Sequence, residues 1–240
     1  MDATAFAQFQ AKFEQTHAGI VRLQKTELSR FRDQFQRLCV GMGHLQEQAA
    51  AAERSEAPRF NLFHLFAIAS DEVRTHSAML AELLNPSGRH GQGSLFLEGF
   101  VAACRARDAD FPALPAAAGT CLWLVETEKW TPLGNLDIVV SCPILRYRFV
   151  IENKIYATEQ LNQLQRYAEW LSWGGRYYDA QALIFLTPKG WPARSAATMP
   201  YFQLSYRDDI HAWLESTLPE VAAPRVSEVL LQYLEVVHHL

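Results

Sequence analysis

The feature that most constrains the fold is a group of short apolar runs that follow one another after residue 120. Each run is rich in Val, Ile and Leu, which favour β-strands. A helical pattern over residues 158–173 separates two of the runs, and strands joined by such a crossover pair in parallel. The predicted strands span 122–126, 136–140, 148–152, 183–187 and 201–205. The sequence therefore predicts an α/β fold, a small mixed β-sheet flanked by helices.

Further helical patterns precede and follow the predicted strands. Ser70, Asp71 and Glu72 stand before one of these patterns in the way that an N-terminal cap does. The predicted helices span 61–69, 73–84, 95–107, 208–218 and 227–239. They supply the layers that a sheet of this kind needs on its faces.

Residues 5–48 carry a long helical pattern of their own, with apolar side chains mostly three, four or seven positions apart. Gly41 and Gly43 are predicted to break or bend this helix, and residues 49–58 to form a connector. An apolar stripe of this length packs either on its own domain, the interpretation we favour, or on a second subunit in a homodimer. The predicted division is a helical N-terminal extension followed by one domain, 1–58 and 59–240.

Charge is unevenly distributed along the 240 residues. The whole chain has a net charge of −4 and a pI near 6.1, which argues against a uniformly basic nucleic-acid surface. Residues 129–207 nevertheless hold nine Lys and Arg against five Asp and Glu, a local net charge of +4. A basic rim around an acidic centre suits a nuclease, although a solvated mixed surface gives the same count.

Cysteine usage and the lack of long apolar runs bear on location. The cysteines at 39, 104, 121 and 142 stand singly, so neither a zinc site nor a disulfide framework is expected. The first residues lack the basic and apolar segments of a signal peptide. No uncharged apolar run approaches the roughly 20 residues of a membrane helix. We expect a cytoplasmic protein that has no membrane partner.

The candidate site lies where two of the predicted strands meet. Asp137 stands on one strand, and the next strand ends in Glu152, Asn153 and Lys154. Alternation along a strand places Glu152 and Lys154 on one face and Asn153 on the other. The two carboxylates and the Asn153 carbonyl are oxygen ligands of the kind that Mg²⁺ prefers. Lys154 would orient or deprotonate the attacking water or stabilise transition-state charge, and the competing interpretation is a weak surface ion pair.

Three further features accompany these residues. Residues 134–137 form a turn that places an acid at the start of an apolar strand. Gln163 and Tyr167 lie four positions apart on one helix face, and Glu72 precedes His76 by one helical turn. Together with the acids and the lysine, these features resemble the PD-(D/E)XK nuclease superfamily, in particular its branch of uncharacterised prokaryotic nucleases with a helical N-terminal half.

The resemblance runs from about residue 61 to residue 187 and implies a restriction-endonuclease-like core. It implies that Asp137 is the motif aspartate, and that Glu152 and Lys154 are the second acid and the lysine. One departure is Leu136, which stands where the motif has proline. The remaining implied site residues are Glu72, which completes the metal shell, and Gln163 and Tyr167, which support the site.

The function that the resemblance implies is Mg²⁺-dependent hydrolysis of phosphodiester bonds, with DNA favoured and Mn²⁺ able to substitute. It further implies a role in phage or plasmid defence, with a protein partner in such a system, or in DNA repair. One alternative is a catalytically inactive binding or scaffold protein, and another is a partner-activated nuclease that acts on RNA. His76 is either a metal or phosphate contact or a core or capping residue, and we favour the second interpretation.

Overall fold

The computed structural model describes residues 3–57, 60–157, 160, 162–175, 177–194 and 200–240. Contacts divide the chain into two compact units, residues 1–60 and 61–240, which are treated separately below. The boundary predicted from the sequence falls on residues 58 and 59, outside the described residues, so that division stays a prediction. Among the described residues, no helix has both the length and the apolar character needed to cross a bilayer.

The first unit is built on one long helix, α1, which spans Ala3–Glu56 without interruption. The predicted break at Gly41 and Gly43 is wrong, and so is the predicted connector, whose described residues continue the helix as far as Glu56. A glycine inside a helix costs only about 1 kcal/mol, which a cooperative helix of this length tolerates. Residues 49–52 are alanines, the residues with the highest helix propensity.

The second unit contains the sheet and the remaining helices. Its strands are β1 Leu124–Lys129, β2 Leu136–Cys142, β3 Tyr147–Asn153, β4 Ala180–Thr187 and β5 Phe202–Ser205. Its α-helices are α2 Leu62–Leu65, α3 Ala78–Leu83, α4 Leu95–Arg107, α5 Gln163–Trp173, α6 His211–Thr217 and α7 Pro224–His238. Short 3₁₀ turns at Ala118–Thr120 and Leu218–Glu220 and π-helical turns at Glu72–Ser77 and Tyr206–Ile210 complete it.

The five strands form one mixed sheet in the order β1-β2-β3-β4-β5. The first three strands pair antiparallel, and β3, β4 and β5 pair in parallel. The helix α5 lies in the connection between β3 and β4, as the crossover pattern predicts. The predicted fold class, a small mixed sheet flanked by helices, is confirmed.

Side chains alternate between the two faces of the sheet and build a core on each. The larger core contains Tyr147, Phe149 and Ile151 of β3 and is shared with α3, α4, α6 and α7. Val150 faces the smaller core, which is shared with Leu164, Tyr167 and Leu171 of α5. Residues 152 and 154 continue the row of Val150, so they point toward the α5 side, whereas residue 153 continues the row of Ile151.

The helix predicted over 61–69 is α-helical only at Leu62–Leu65, the one predicted over 208–218 begins with the π-helical turn Tyr206–Ile210, and the one predicted over 227–239 begins at Pro224. Two others begin differently at the site. The α-helix predicted over 73–84 starts as a π-helical turn, Glu72–Ser77, and Asp71 caps it by accepting a hydrogen bond from Arg74 N. The helix predicted over 158–173 starts at Gln163, because Asn162 has a left-handed backbone with φ of 55°. Residues 158 and 159 lie outside the described residues.

Arg148 of β3 holds the C-terminal end of α5 against the sheet. Its side chain is buried, with the guanidinium carbon 4.5 Å from the Trp170 ring centroid and 4.4 Å from that of Tyr178. Its Nε donates to Gln181 Oε1 at 2.8 Å, and a terminal nitrogen donates to the Leu171 carbonyl. Burial lowers the pKa of Arg148. Aromatic faces and neutral acceptors therefore replace a carboxylate as the partners of this cation.

Replacing Arg148 by Met is expected to lower the free energy of unfolding by about 2 kcal/mol, because two cation–π contacts and two hydrogen bonds are lost. The matched control is Arg146→Met, since Arg146 pairs at 2.6 Å with Asp179 on an exposed surface. That change is expected to cost under ~1 kcal/mol. Urea unfolding followed by tryptophan fluorescence measures both, and equal effects would contradict the anchoring role of Arg148.

Candidate active site

Two acidic residues face each other at one edge of the sheet. Asp137 is the second residue of β2, and Glu152 is the last but one of β3. Ile138 pairs with Ile151 in the antiparallel register, so Asp137 lies across from Glu152 on the α5 side. The strands place the two carboxyl groups together although fourteen residues separate them in the chain.

Asp137 receives hydrogen bonds from two elements. The backbone N of Asn153 donates to its Oδ2 at 2.8 Å. The Tyr167 hydroxyl lies 3.2 Å from its Oδ1 and 2.7 Å from the carbonyl oxygen of Asn135, in the turn that leads into β2. The end of β3 and the helix α5 therefore both fix the position of the Asp137 carboxyl group.

Glu152 has no comparable support. Its side chain is fully buried, and no backbone N–H of the described residues donates to either carboxylate oxygen. The polar contact that it does have is an ion pair, with Lys154 Nζ 3.0 Å from its Oε1. A buried carboxylate without such donors is costly unless a cation compensates it, so the surface ion pair considered from the sequence does not describe this environment.

The ionisation of the site reflects this burial. Burial, and then the negative charge of Glu152, raise the pKa of Asp137 to about 8. Burial also raises the pKa of Glu152, against the opposing effect of Lys154. Burial disfavours the charge of Lys154, but the neighbouring carboxylates, Glu152 first, outweigh this and raise its pKa. Two carboxylates thus compete for one ammonium group, which leaves the site short of positive charge.

A divalent cation fits this donor set. Glu152 offers two buried carboxylate oxygens, one of them paired with Lys154, and Asp137 adds a second carboxyl group beside it. Among the described residues, no three His, Cys, Asp or Glu side chains converge in a way that suits a metal. An ion held here would take its other ligands from backbone, water or substrate oxygens, which is the pattern typical of Mg²⁺.

Glu72 reaches the site from the helical layer on the other face of the sheet. It is the first residue of the π-helical turn, and its Oε2 accepts a hydrogen bond from Ile155 N at 2.7 Å. Its Oε1 lies 3.8 Å from Lys154 Nζ. Glu72 therefore holds the segment after β3 and approaches the lysine, and its predicted role as a metal ligand stays a prediction.

Gln163 and Tyr167 share one face of α5, and both are buried. Tyr167 contacts Asp137 directly, whereas Gln163 Oε1 accepts a hydrogen bond from Gln160 N at 3.1 Å, just before the helix. Burial, and then the charges of Glu152 and Asp137, raise the pKa of Tyr167 far above its usual value. Tyr167 therefore stays a neutral donor toward the acids.

The side chain of Asn153 lies on the opposite face of the sheet, as the alternation predicts. Its Nδ2 donates to Ser77 Oγ at 2.9 Å, and its Oδ1 accepts from the Tyr206 hydroxyl at 2.9 Å. This buried amide joins the end of β3 to both π-helical turns. Its backbone N holds Asp137, and the predicted metal contact of its carbonyl stays a prediction.

Two tyrosines that complete this buried network were not predicted from the sequence. Tyr206 lies 53 positions from Asn153, and Tyr233 lies 157 positions from His76, so no local spacing connects them. The Tyr233 hydroxyl is 3.0 Å from His76 Nδ1, and His76 Nε2 is 3.0 Å from the Ala69 carbonyl oxygen. A carbonyl only accepts, so Nε2 carries the proton and donates to it. Burial lowers the pKa of His76, which is a neutral core residue, the interpretation favoured from the sequence.

A mixed sheet flanked by helices, with one buried acid, one partly buried acid and a lysine at its edge, defines a restriction-endonuclease-like α/β protein. The family model described as the PD-(D/E)XK nuclease superfamily matches residues 60–235, which is more than half of the chain. The chain belongs to this superfamily, and the resemblance noted from its motifs is confirmed. Comparisons with curated proteins and with solved structures gave no match.

The raised pKa of Asp137 predicts how the stability of the metal-free protein depends on pH. An unfolded aspartate titrates near pH 4 and the folded Asp137 near pH 8. The folded state therefore retains a proton that the unfolded state loses, and the free energy of unfolding falls as the pH rises from about 4 to about 8. Glu152 shifts in the same direction.

Thermal unfolding in EDTA at stepped pH values measures this decline, and Asp137→Asn is expected to flatten much of it. The control is Asp179→Asn, because Arg146 lowers the pKa of that exposed carboxyl group. Asp179 affects the pH dependence of stability only below about pH 4, so the Asp179→Asn variant should keep the decline in stability between pH 5 and 8. A wild-type protein whose stability rises through this window would contradict the assignment.

Proposed function

We propose that this protein is a metal-dependent nuclease that hydrolyses phosphodiester bonds, with DNA as the favoured substrate. The observation that carries the proposal is the fully buried Glu152 carboxylate, which lies across from Asp137 and has Lys154 Nζ 3.0 Å from its Oε1. Membership of the PD-(D/E)XK superfamily supports the same conclusion.

Asp137 and Glu152 would hold the cation, Mg²⁺ in the first instance with Mn²⁺ able to substitute, and the Asn153 carbonyl and Glu72 are further candidate ligands. When bound, a divalent ion lowers the pKa of water and offsets phosphate charge. The protein's own contribution is to hold Asp137 in position and to keep Glu152 out of water before the substrate arrives. Hydrogen bonds from Asn153 N and Tyr167 to Asp137 support that role.

Lys154 would act through its positive charge. Its raised pKa keeps Nζ protonated at neutral pH, and a protonated amine donates hydrogen bonds but cannot accept a proton. Nζ would therefore orient the attacking water or stabilise charge that develops on the phosphate oxygens. Glu72, 3.8 Å from Nζ, restrains the lysine from the helical side.

The surroundings of the site suit a phosphodiester backbone. Lys189 is exposed just after β4, whose C-terminal end lies at the same sheet edge as the end of β3. Arg166 projects from α5 toward the turn before β2, with its Nε 3.8 Å from the position of a Cβ built on Gly134. Both are candidate phosphate contacts, which carry little base specificity. A role in phage or plasmid defence, alongside a protein partner, or in DNA repair is part of this proposal.

Removing the Asp137 carboxyl group or the Lys154 amino group is expected to lower the rate of cleavage strongly. Asp137→Ala and Lys154→Ala should each lower the rate by at least about 100-fold, the loss typical when a group that stabilises a transition state is removed. The assay follows fluorescent plasmid, linear duplex, single-stranded DNA and RNA with Mg²⁺, with Mn²⁺ and with EDTA.

The matched controls are Asp179→Ala and Arg146→Ala, which remove one acid and one cation from an exposed ion pair away from the site. They should cleave like the wild type. Cleavage in EDTA, or undiminished cleavage by Asp137→Ala and Lys154→Ala, would contradict the proposal. Cleavage of RNA in preference to DNA would contradict the substrate assignment alone.

A further inference from the structure

Six apolar side chains of α1 form one stripe, and each of them is more than half exposed. Their separations alternate between three and four residues, which is the heptad repeat of a coiled coil. Within the first unit, which is built on α1, the described residues therefore leave this stripe largely uncovered. The six residues are Leu28, Phe31, Phe35, Leu38, Met42 and Leu45, with exposed fractions between 52% and 66%.

A stripe of this period favours another helix as its partner. A spacing of 3.5 residues keeps the same side chains facing a second helix along a left-handed supercoil. Leu28, Phe35 and Met42 occupy the a positions, and the other three occupy d. The rings of Phe31 and Phe35 already lie 6.2 Å apart with nearly parallel planes, so they form one continuous apolar surface.

The helix itself has reason to need a partner. Gly41 and Gly43 lie in its interior, and each disfavours an isolated exposed helix by about 1 kcal/mol relative to alanine. Among the described residues, no heavy atom outside their local helix lies within 4 Å of a Cβ built at either position. Most of the stability of such a helix has to come from packing of its apolar face.

We propose that α1 pairs with α1 of a second copy of this chain in a parallel, in-register coiled coil. Charge complementarity selects this partner and this direction. With Leu28 at a, Glu27 occupies g and Arg32 occupies the following e position, and both side chains are exposed. In a parallel pair, g of one helix faces that e position of the other. Glu27 of each copy then faces Arg32 of the other, and the pairing forms twice by symmetry.

Parallel pairing also has a consequence for the rest of the chain. Residues 61–240 follow the C-terminal end of α1, so the two copies of that unit emerge at the same end of the coiled coil. The inference uses no residue of the candidate active site. It stands or falls separately from the nuclease proposal.

Sedimentation equilibrium at micromolar concentrations tests the pairing. The wild type is expected to be a dimer, and Phe35→Glu combined with Leu38→Glu a monomer. The control combines Ser29→Glu with Gln36→Glu, which adds the same charge at exposed b positions and should stay dimeric. All six tryptophans lie at or beyond residue 123, so their fluorescence verifies that the second unit remains folded. A monomeric wild type, or a dimeric Phe35→Glu and Leu38→Glu variant, would overturn the proposal.

Two further variants test direction and register. Glu27→Arg is expected to weaken dimerisation about fivefold at low salt, since two attractive pairs become repulsive, and adding Arg32→Glu should restore it. In a Cys39→Ser background, Leu38→Cys should form a disulfide between copies on oxidation, whereas Gln36→Cys should not. A dimer in which Leu38→Cys fails to cross-link, or in which the charge exchange gives no recovery, would overturn the parallel arrangement.

Discussion

Two carboxyl groups, one buried and one partly buried, face each other at one edge of the sheet, and the geometry of the site follows from how they are held. Asp137 and Glu152 share a single nearby ammonium group, that of Lys154, so their mutual repulsion is only partly compensated. Burial raises the pKa values of both acids, and hydrogen bonds support only Asp137. A site of this kind costs stability in the absence of a cation, which is typical of residues placed for function and not for folding.

The side chains at the end of β3, those of Glu152, Asn153 and the following Lys154, make contacts on both faces of the sheet. Glu152 and Lys154 point to the side of α5, from which Tyr167 reaches Asp137. Asn153 points to the other side and binds Ser77 and Tyr206, which belong to the two π-helical turns. Because one strand end joins three elements, a shift of either helical layer would displace the carboxylates. The fold thereby couples the packing of its layers to the geometry of the site.

The parts of this arrangement that follow local periodicity could be predicted from the sequence. Strand alternation gave the common face of Glu152 and Lys154, and the crossover helix gave the parallel pair β3 and β4. Motif spacing pointed to Asp137, although only the sheet register brings it opposite Glu152. Each of these predictions rests on a geometric repeat within one element or between neighbours.

The features that were not predicted depend on distant residues or on small energy differences. Tyr206 joins Asn153 across 53 positions, and nothing in the local sequence indicates that contact. The π-helical start at Glu72–Ser77 differs from an α-helix by one hydrogen-bond step, which tertiary packing decides. The predicted break of α1 at Gly41 and Gly43 failed for a different reason. The low helix propensity of glycine is a local cost, and the cooperativity and packing of a long helix offset it.

Locating Mn²⁺ in crystals of the protein shows whether Asp137 and Glu152 together hold a divalent cation. Anomalous diffraction identifies the ion independently of any activity. We expect an anomalous peak in contact with both carboxylates, and its loss in crystals of Glu152→Gln. Saturating Mn²⁺ that gives no peak between these two side chains, or a peak that persists in Glu152→Gln, would contradict a cation site formed by both residues.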